Sequence, residues 1–192
     1  VELYMVSFSK LQILPPSNWQ DFESLCCDLW REIWKDPNTQ KNGRQGQPQN
    51  GIDIFGRPDQ GGQWAGIQCK GKDNLSDKSL TEDEVGREVE KAKSFSPKLS
   101  QFVIATTGPK DGRLQALARS ITEEHLRNDS FSIHIWAWED IKNILESFPD
   151  VLAKQYPMLV SGTKELERNV REIDKTTKKT LDLLESKSSF SF

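Results

Sequence analysis

The sequence predicts an α/β fold: a mixed central sheet of four or five strands with helices on both faces. Three observations predict it. The run "QFVIATTG" from Gln101 is short and almost wholly apolar, as expected of a strand covered on both faces. From Phe102 to Ile144 the order strand, helix, strand, helix implies a parallel crossover, whose hand is nearly always right. Upstream, "IDIF" and "WAGIQCKG" are separated by a loop carrying Pro58 and Gly61-Gly62 and read as a hairpin, which mixes an antiparallel pair into the sheet.

The elements follow in chain order. Residues 1–16 form an N-terminal extension that ends at Pro15-Pro16, after which Ser17 or Asn18 can cap a helix. In "NWQDFESLCCDLWREIWKD", Trp19, Phe22, Cys26, Leu29, Trp30 and Ile33 recur at spacings of three and four and form one buried face, with Glu23 at its edge. Residues 36–51 are rich in Pro, Gly, Asn and Gln and read as a loop. After the hairpin, a polar loop over residues 73–83 leads to "EDEVGREVEKAKSF", a helix with Val85 and Val89 on one face. Leu114, Leu117, Ala118, Ile121 and Leu126 mark the next helix, "FSIHIWAW" the last strand and "EDIKNILESF" a closing helix. One domain over 17–157 accounts for these elements. Residues 158–187 are strongly charged, with a narrow stripe of Leu166, Val170, Ile173, Thr177, Leu181 and Leu184, which suits either a solvated linker or an oligomerisation helix. The tail, 188–192, reads as disordered.

Composition narrows the function classes. No apolar run among the 192 residues approaches the roughly 18 that a membrane span needs. No secretory leader is recognisable, so a cytoplasmic protein without membrane attachment is expected. Three cysteines, two of them adjacent, make neither a disulfide framework nor a zinc-ligand spacing. A net charge of −3 argues against a protein that coats nucleic acid by charge alone. It leaves room for a local basic groove, since Lys41, Arg44, Arg57, Lys70, Lys72 and Lys78 fall close together in the chain.

The hairpin holds an anomaly: Asp53, Gln68 and Lys70 lie inside segments that otherwise read as buried strand. Side chains alternate faces along a strand, so Gln68 and Lys70 share one face, while Asp53 and Phe55 share a face opposite Ile52 and Ile54. If the hairpin sets Asp53 beside Gln68 and Lys70, three polar groups converge, and burying them without partners costs several kcal/mol (roughly 2–7 per group). A hard divalent cation answers that cost, because Mg²⁺ takes oxygen ligands. Asp53 offers a carboxylate, Gln68 an amide oxygen and Cys69 its backbone carbonyl, with Lys70 beside a metal-bound water.

"GIDIFG", the later "QCK" and an upstream helix bearing Glu23 together resemble the PD-(D/E)xK nuclease superfamily, in its Mrr-like restriction endonuclease branch. The resemblance spans roughly residues 17–148 and rests on order and spacing, since each short motif is degenerate alone. It implies a restriction-endonuclease-like fold and a Mg²⁺-dependent (or Mn²⁺-dependent) endonuclease acting on DNA, expected to be double-stranded. In that pattern Asp53 is the metal-binding acid and Gln68 stands where the second acid would be. Lys70 is the lysine that orients the attacking water and stabilises phosphate charge, and Glu23 is the helix glutamate near the metal. Gln68 removes a negative charge from the site, and Glu23 could restore it. Lys41, Arg44, Gln45 and Lys72 would contact nucleic acid around the mouth. Such domains often serve as effectors of restriction or anti-phage defence, controlled by a sensor or NTPase partner, so a homo-oligomer or larger assembly is expected. A catalytically idle relative that only binds nucleic acid or protein stays open, as does RNA or branched DNA as substrate.

Other residues carry ordinary expectations. Cys26 and Cys27 should be core, and His125 and His134 surface or packing residues. Trp19, Trp30, Trp136 and Trp138 suit packing, and Trp64 alone is placed near substrate. Glu84, Glu88 and Glu90 read as a solvated helix face, with Glu88 able to turn towards the metal.

Overall fold

A computed structural model describes residues 13–43, 51–72 and 79–188, with the side chains of 160–167 and 181–188 left undescribed. The chain divides into two compact units, the first running to Val151 and the second beginning at Leu152.

In the first unit, α1 (Trp19–Ile33) starts at Asn18, whose side chain accepts the Asp21 N–H at 2.8 Å and so satisfies one of the free donors of the first turn. Its face of Phe22, Leu25, Cys26, Leu29 and Trp30 is buried almost completely. Each such large apolar side chain contributes about 1.5–3 kcal/mol relative to exposure. The sheet has five strands in the order β1 (Gln40–Lys41), β2 (Ile54–Gly56), β3 (Trp64–Lys70), β4 (Leu99–Thr106), β5 (Ser132–Trp136). β1–β2 and β2–β3 are antiparallel; β3–β4 and β4–β5 are parallel. The sheet is therefore mixed, and helices cover both of its faces. On one lie α2 (Glu82–Ala92) and α3 (Gly112–Arg127), which close a core of Val85, Val89, Leu114 and Ala118 over Phe102, Ile104 and Ile133. On the other lie α1 and α4 (Trp138–Leu145), and there Trp30 meets Trp136 with ring centroids 5.1 Å apart.

Several expectations are corrected. β1 lies within what reads as a loop, because Lys41 pairs with Ile54 and Asn42 N–H donates to the Asp53 carbonyl at 2.7 Å. The hairpin register pairs Ile54 with Ile67, but β2 begins only at Ile54. Ahead of it the alternation of faces breaks: Ile52 joins the same core cluster that Phe55 packs against, so it does not lie opposite Phe55. Trp19, expected in the buried face of α1, is 44% exposed: it is the first residue of the helix and lies beside Gly71, just past the end of β3. Trp64 sits at the start of β3, roughly 20 Å of strand from Lys70. It packs on Phe55 (5.8 Å) and carries Arg57 over its ring (5.5 Å). A short helix absent from the sequence reading, α5 (Pro149–Gln155), follows α4. His125 is a packed histidine, its Nδ1 3.1 Å from the Phe131 carbonyl, and Cys26 and Cys27 are core.

The second unit is dominated by α6 (Pro157–Ser188), which covers the charged segment. Val170 and Ile173, members of its apolar stripe, are exposed. None of the described helices is long and apolar enough to cross a membrane.

Candidate active site

The site forms at the C-terminal end of β3, where the turn into β2, the first turns of α1 and the middle of α2 come together. Asp53 is its centre. In a regular ladder the next acceptor along β2 would meet the Cys69 N–H, but the Ile52 carbonyl is taken by the Asn42 side chain at 2.9 Å. The Asp53 carboxylate replaces it, accepting the Cys69 N–H at 2.7 Å and the Gln68 Nε2–H at 2.5 Å, both on Oδ2. Asp53 is thus held rigidly by backbone and side chain with only 7% of its surface exposed. The bend that breaks the strand pattern is what aims it.

Gln68, also buried, spends its amide N–H₂ on Asp53 and, at 3.3 Å, on the Cys69 carbonyl. Its Oε1 and the Asp53 Oδ1 accept no hydrogen bond among the described residues. Glu23 faces them from α1. Burial and then the charge of Asp53 push its carboxyl above the usual range, against the pull of Lys41, whose Nζ lies 3.9 Å from Oε2. The Asp53 carboxyl is also raised, chiefly by burial, with Glu88 adding to the effect while Cys69 N–H, Lys70 and Gln68 oppose it. Carboxylates that gather at a cost in ionisation are the pattern expected where a cation completes a site.

The donor set fits a hard divalent ion: Asp53 Oδ1, Gln68 Oε1 and the Glu23 carboxylate are all oxygen atoms not already filled by a strong hydrogen-bond donor. The Cys69 carbonyl is only weakly engaged and adds a fourth oxygen. Among the described residues no three His, Cys, Asp or Glu side chains form a metal cluster on their own. Any ion here relies on the Gln68 amide.

Lys70 does not bond to Asp53. Its Nζ lies 2.8 Å from Glu88 Oε1, an oxygen that also receives Lys91 at 3.0 Å. Burial alone would raise the Glu88 carboxyl, but the hydrogen bonds and charges of Lys70 and Lys91 outweigh it and hold the group below the usual range. Glu88 is therefore not part of a solvated face, and this corrects the sequence reading. A signal was present: Val85, Glu88, Val89 and Ala92 share one helical stripe, and all four are buried. Glu84 too is committed, to Lys72 at 2.6 Å and to a capping box with Thr81.

The four residues named for nucleic acid fare differently. Lys41 stands on the edge strand with its Nζ 2.9 Å from Ser24 Oγ, close to the site. The Lys72 side chain is mostly covered and its charge is matched by Glu84. Arg44 and Gln45 lie outside the described residues. An open depression of about 400 Å³ between α3 and α4, lined by Gln115, Trp136 and Asp140 among others, is a separate feature.

The chain matches no protein-family model, no curated protein and no solved structure.

Proposed function

We propose that this chain is a metal-dependent endonuclease that hydrolyses phosphodiester bonds of double-stranded DNA, working as an effector in restriction or anti-phage defence. The observation that carries the reading is the convergence on Asp53: the Gln68 amide and Cys69 N–H bind its carboxylate while Glu23 and Lys70 act on it electrostatically. Asp53, Gln68 Oε1 and Glu23 would hold a Mg²⁺ or Mn²⁺ ion. Such an ion supplies Lewis acidity and a water of lowered pKa. The chain's own residues contribute the rest. Asp53 is fixed in orientation by two donors before substrate arrives, which limits reorganisation during the reaction. Lys70 brings an ammonium to the edge of the oxygen cluster, suited to a phosphate oxygen that gains charge. Lys41, exposed on β1, would meet the DNA backbone.

A binding module without activity is the second reading. It draws on the charge matching of Lys41, Lys70 and Lys72 by acids and on the lack of a three-acid cluster among the described residues. Cleavage of supercoiled plasmid with Mg²⁺ or Mn²⁺ separates the two. The parent should nick the plasmid, and Asp53→Ala and Lys70→Ala should each lower the rate by about 100-fold or more. A parent that binds DNA but leaves it intact with both metals leaves only the binding module.

A further inference from the structure

We propose that Glu88 is a positioning residue of this site, setting where the Lys70 ammonium stands relative to Asp53 and Gln68. The inference rests on the nuclease reading above and extends it to a residue that reading does not use.

Glu88 lies in the middle of α2, and its side chain is only 6% exposed. A buried glutamate without partners would be costly, and this one has two: Lys70 Nζ at 2.8 Å and Lys91 Nζ at 3.0 Å, both on Oε1. Lys70 reaches across from β3, 18 positions away in sequence, whereas Lys91 is one turn along the same helix and 55% exposed. Lysine is a flexible four-carbon stem with a point charge, so its ammonium has no preferred place unless something holds it. Among the described residues Glu88 is the only carboxylate that bonds to it.

The helix is in turn locked to the turn that carries Asp53. Gly51 adopts φ +71°, and a Cβ there would lie 2.7 Å from Lys91 Cβ and 3.4 Å from Glu88 Oε2. The chain two residues before Asp53 therefore rests directly on the Glu88–Lys91 turn. The Lys70 ammonium, the Glu88 carboxylate and the Gly51 backbone that leads into Asp53 thus lie in one chain of neighbours. Glu88 touches neither substrate nor metal in this scheme and acts only through Lys70. Lys91 shares its charge, so that Glu88 is not neutralised by Lys70 alone.

The test compares the parent, Glu88→Gln and Glu88→Asp in plasmid cleavage, with Mn²⁺ binding to each full chain measured by calorimetry. Glu88→Gln should lower kcat by about 10- to 100-fold, the scale of a group displaced by about 1 Å, with KM and the Mn²⁺ affinity within about twofold of the parent. Glu88→Asp keeps the charge but shortens the reach, and should fall between the two. If Glu88→Gln fails to fold, Glu88→Asp decides: an undiminished kcat overturns the inference. Loss of Mn²⁺ binding together with kcat would make Glu88 part of the metal site and also overturn it. A parent that cuts, with Glu88→Gln cutting equally well, sinks the inference and leaves the nuclease reading standing. A parent that never cuts removes the reaction itself, and with it both.

Discussion

Asp53→Asn is the sharpest perturbation of the site, because it removes a charge while keeping the shape. In the parent the carboxylate accepts Cys69 N–H at 2.7 Å and Gln68 Nε2–H at 2.5 Å. A hydrogen bond to a charged acceptor contributes about 1.5–3 kcal/mol, and one to a neutral acceptor about 0.5–1.5, so neutralising Asp53 forfeits about 1 kcal/mol at each bond. Against that loss of about 2 kcal/mol stands the relief of a buried charge that works against Glu23 and Glu88. The two effects are of similar size, and the metal-free variant should therefore sit within about 1 kcal/mol of the parent at pH 7. Metal separates the proteins. At a Mn²⁺ concentration 100 times its Kd the parent gains about 2.7 kcal/mol, which for a chain of this size raises Tm by roughly 5–10 °C. Asp53→Asn should gain almost none of it. The assay is thermal unfolding followed by circular dichroism, with and without Mn²⁺. Equal metal-dependent shifts in both proteins would refute the assignment of Asp53 as a ligand. A metal-free loss above about 3 kcal/mol would show that its charge is supported by its donors rather than in excess.

Three further outcomes follow from the same geometry. Asp53 and Glu23 ionise less readily in the folded chain than in the unfolded one, so their ionisation costs stability. The metal-free parent should lose stability as pH rises from the ordinary carboxylate range through their raised values, and Asp53→Asn combined with Glu23→Gln should flatten that slope in urea titrations between about pH 4 and pH 7. Glu88 has the opposite sign: its lowered pKa adds stability above the usual glutamate range, lost as pH falls through the lowered value. Gly51→Ala forces a Cβ into a left-handed residue 2.7 Å from Lys91 Cβ, and should cost about 1–3 kcal/mol by urea unfolding while displacing the turn into Asp53.

Much of the fold is legible in the sequence, because it depends on local period. The apolar stripe of α1, the stripe of Val85 and Val89 on α2, and the covered strand β4 all stand where spacing and composition put them. The site is legible in part. The antiparallel register joins Ile54 to Ile67, and that brings Asp53 within reach of Gln68. The strict alternation that suggested this meeting is nevertheless broken at Asp53. The acid reaches its partners from a bend, as a substitute for a ladder carbonyl. Glu88 was hidden among acids that are exposed, such as Glu90, although its stripe with Val85 and Val89 marks it as buried.

By itself, then, the sequence determined the order and type of the principal elements in the first unit, apart from the short strand β1 and the short helix α5, and the anomaly of polar residues in the hairpin. Both follow from residue periodicity and from the cost of burying unpaired polar groups, which act within a few residues. Only the tertiary structure decided which charge meets which. Lys70 could have faced Asp53, 17 positions back, but the packing of α2 against the sheet offers it Glu88, 18 positions ahead. That choice has no local signal, since the length of a lysine stem lets it reach either acid. The burial of the neighbouring helix is what selects one.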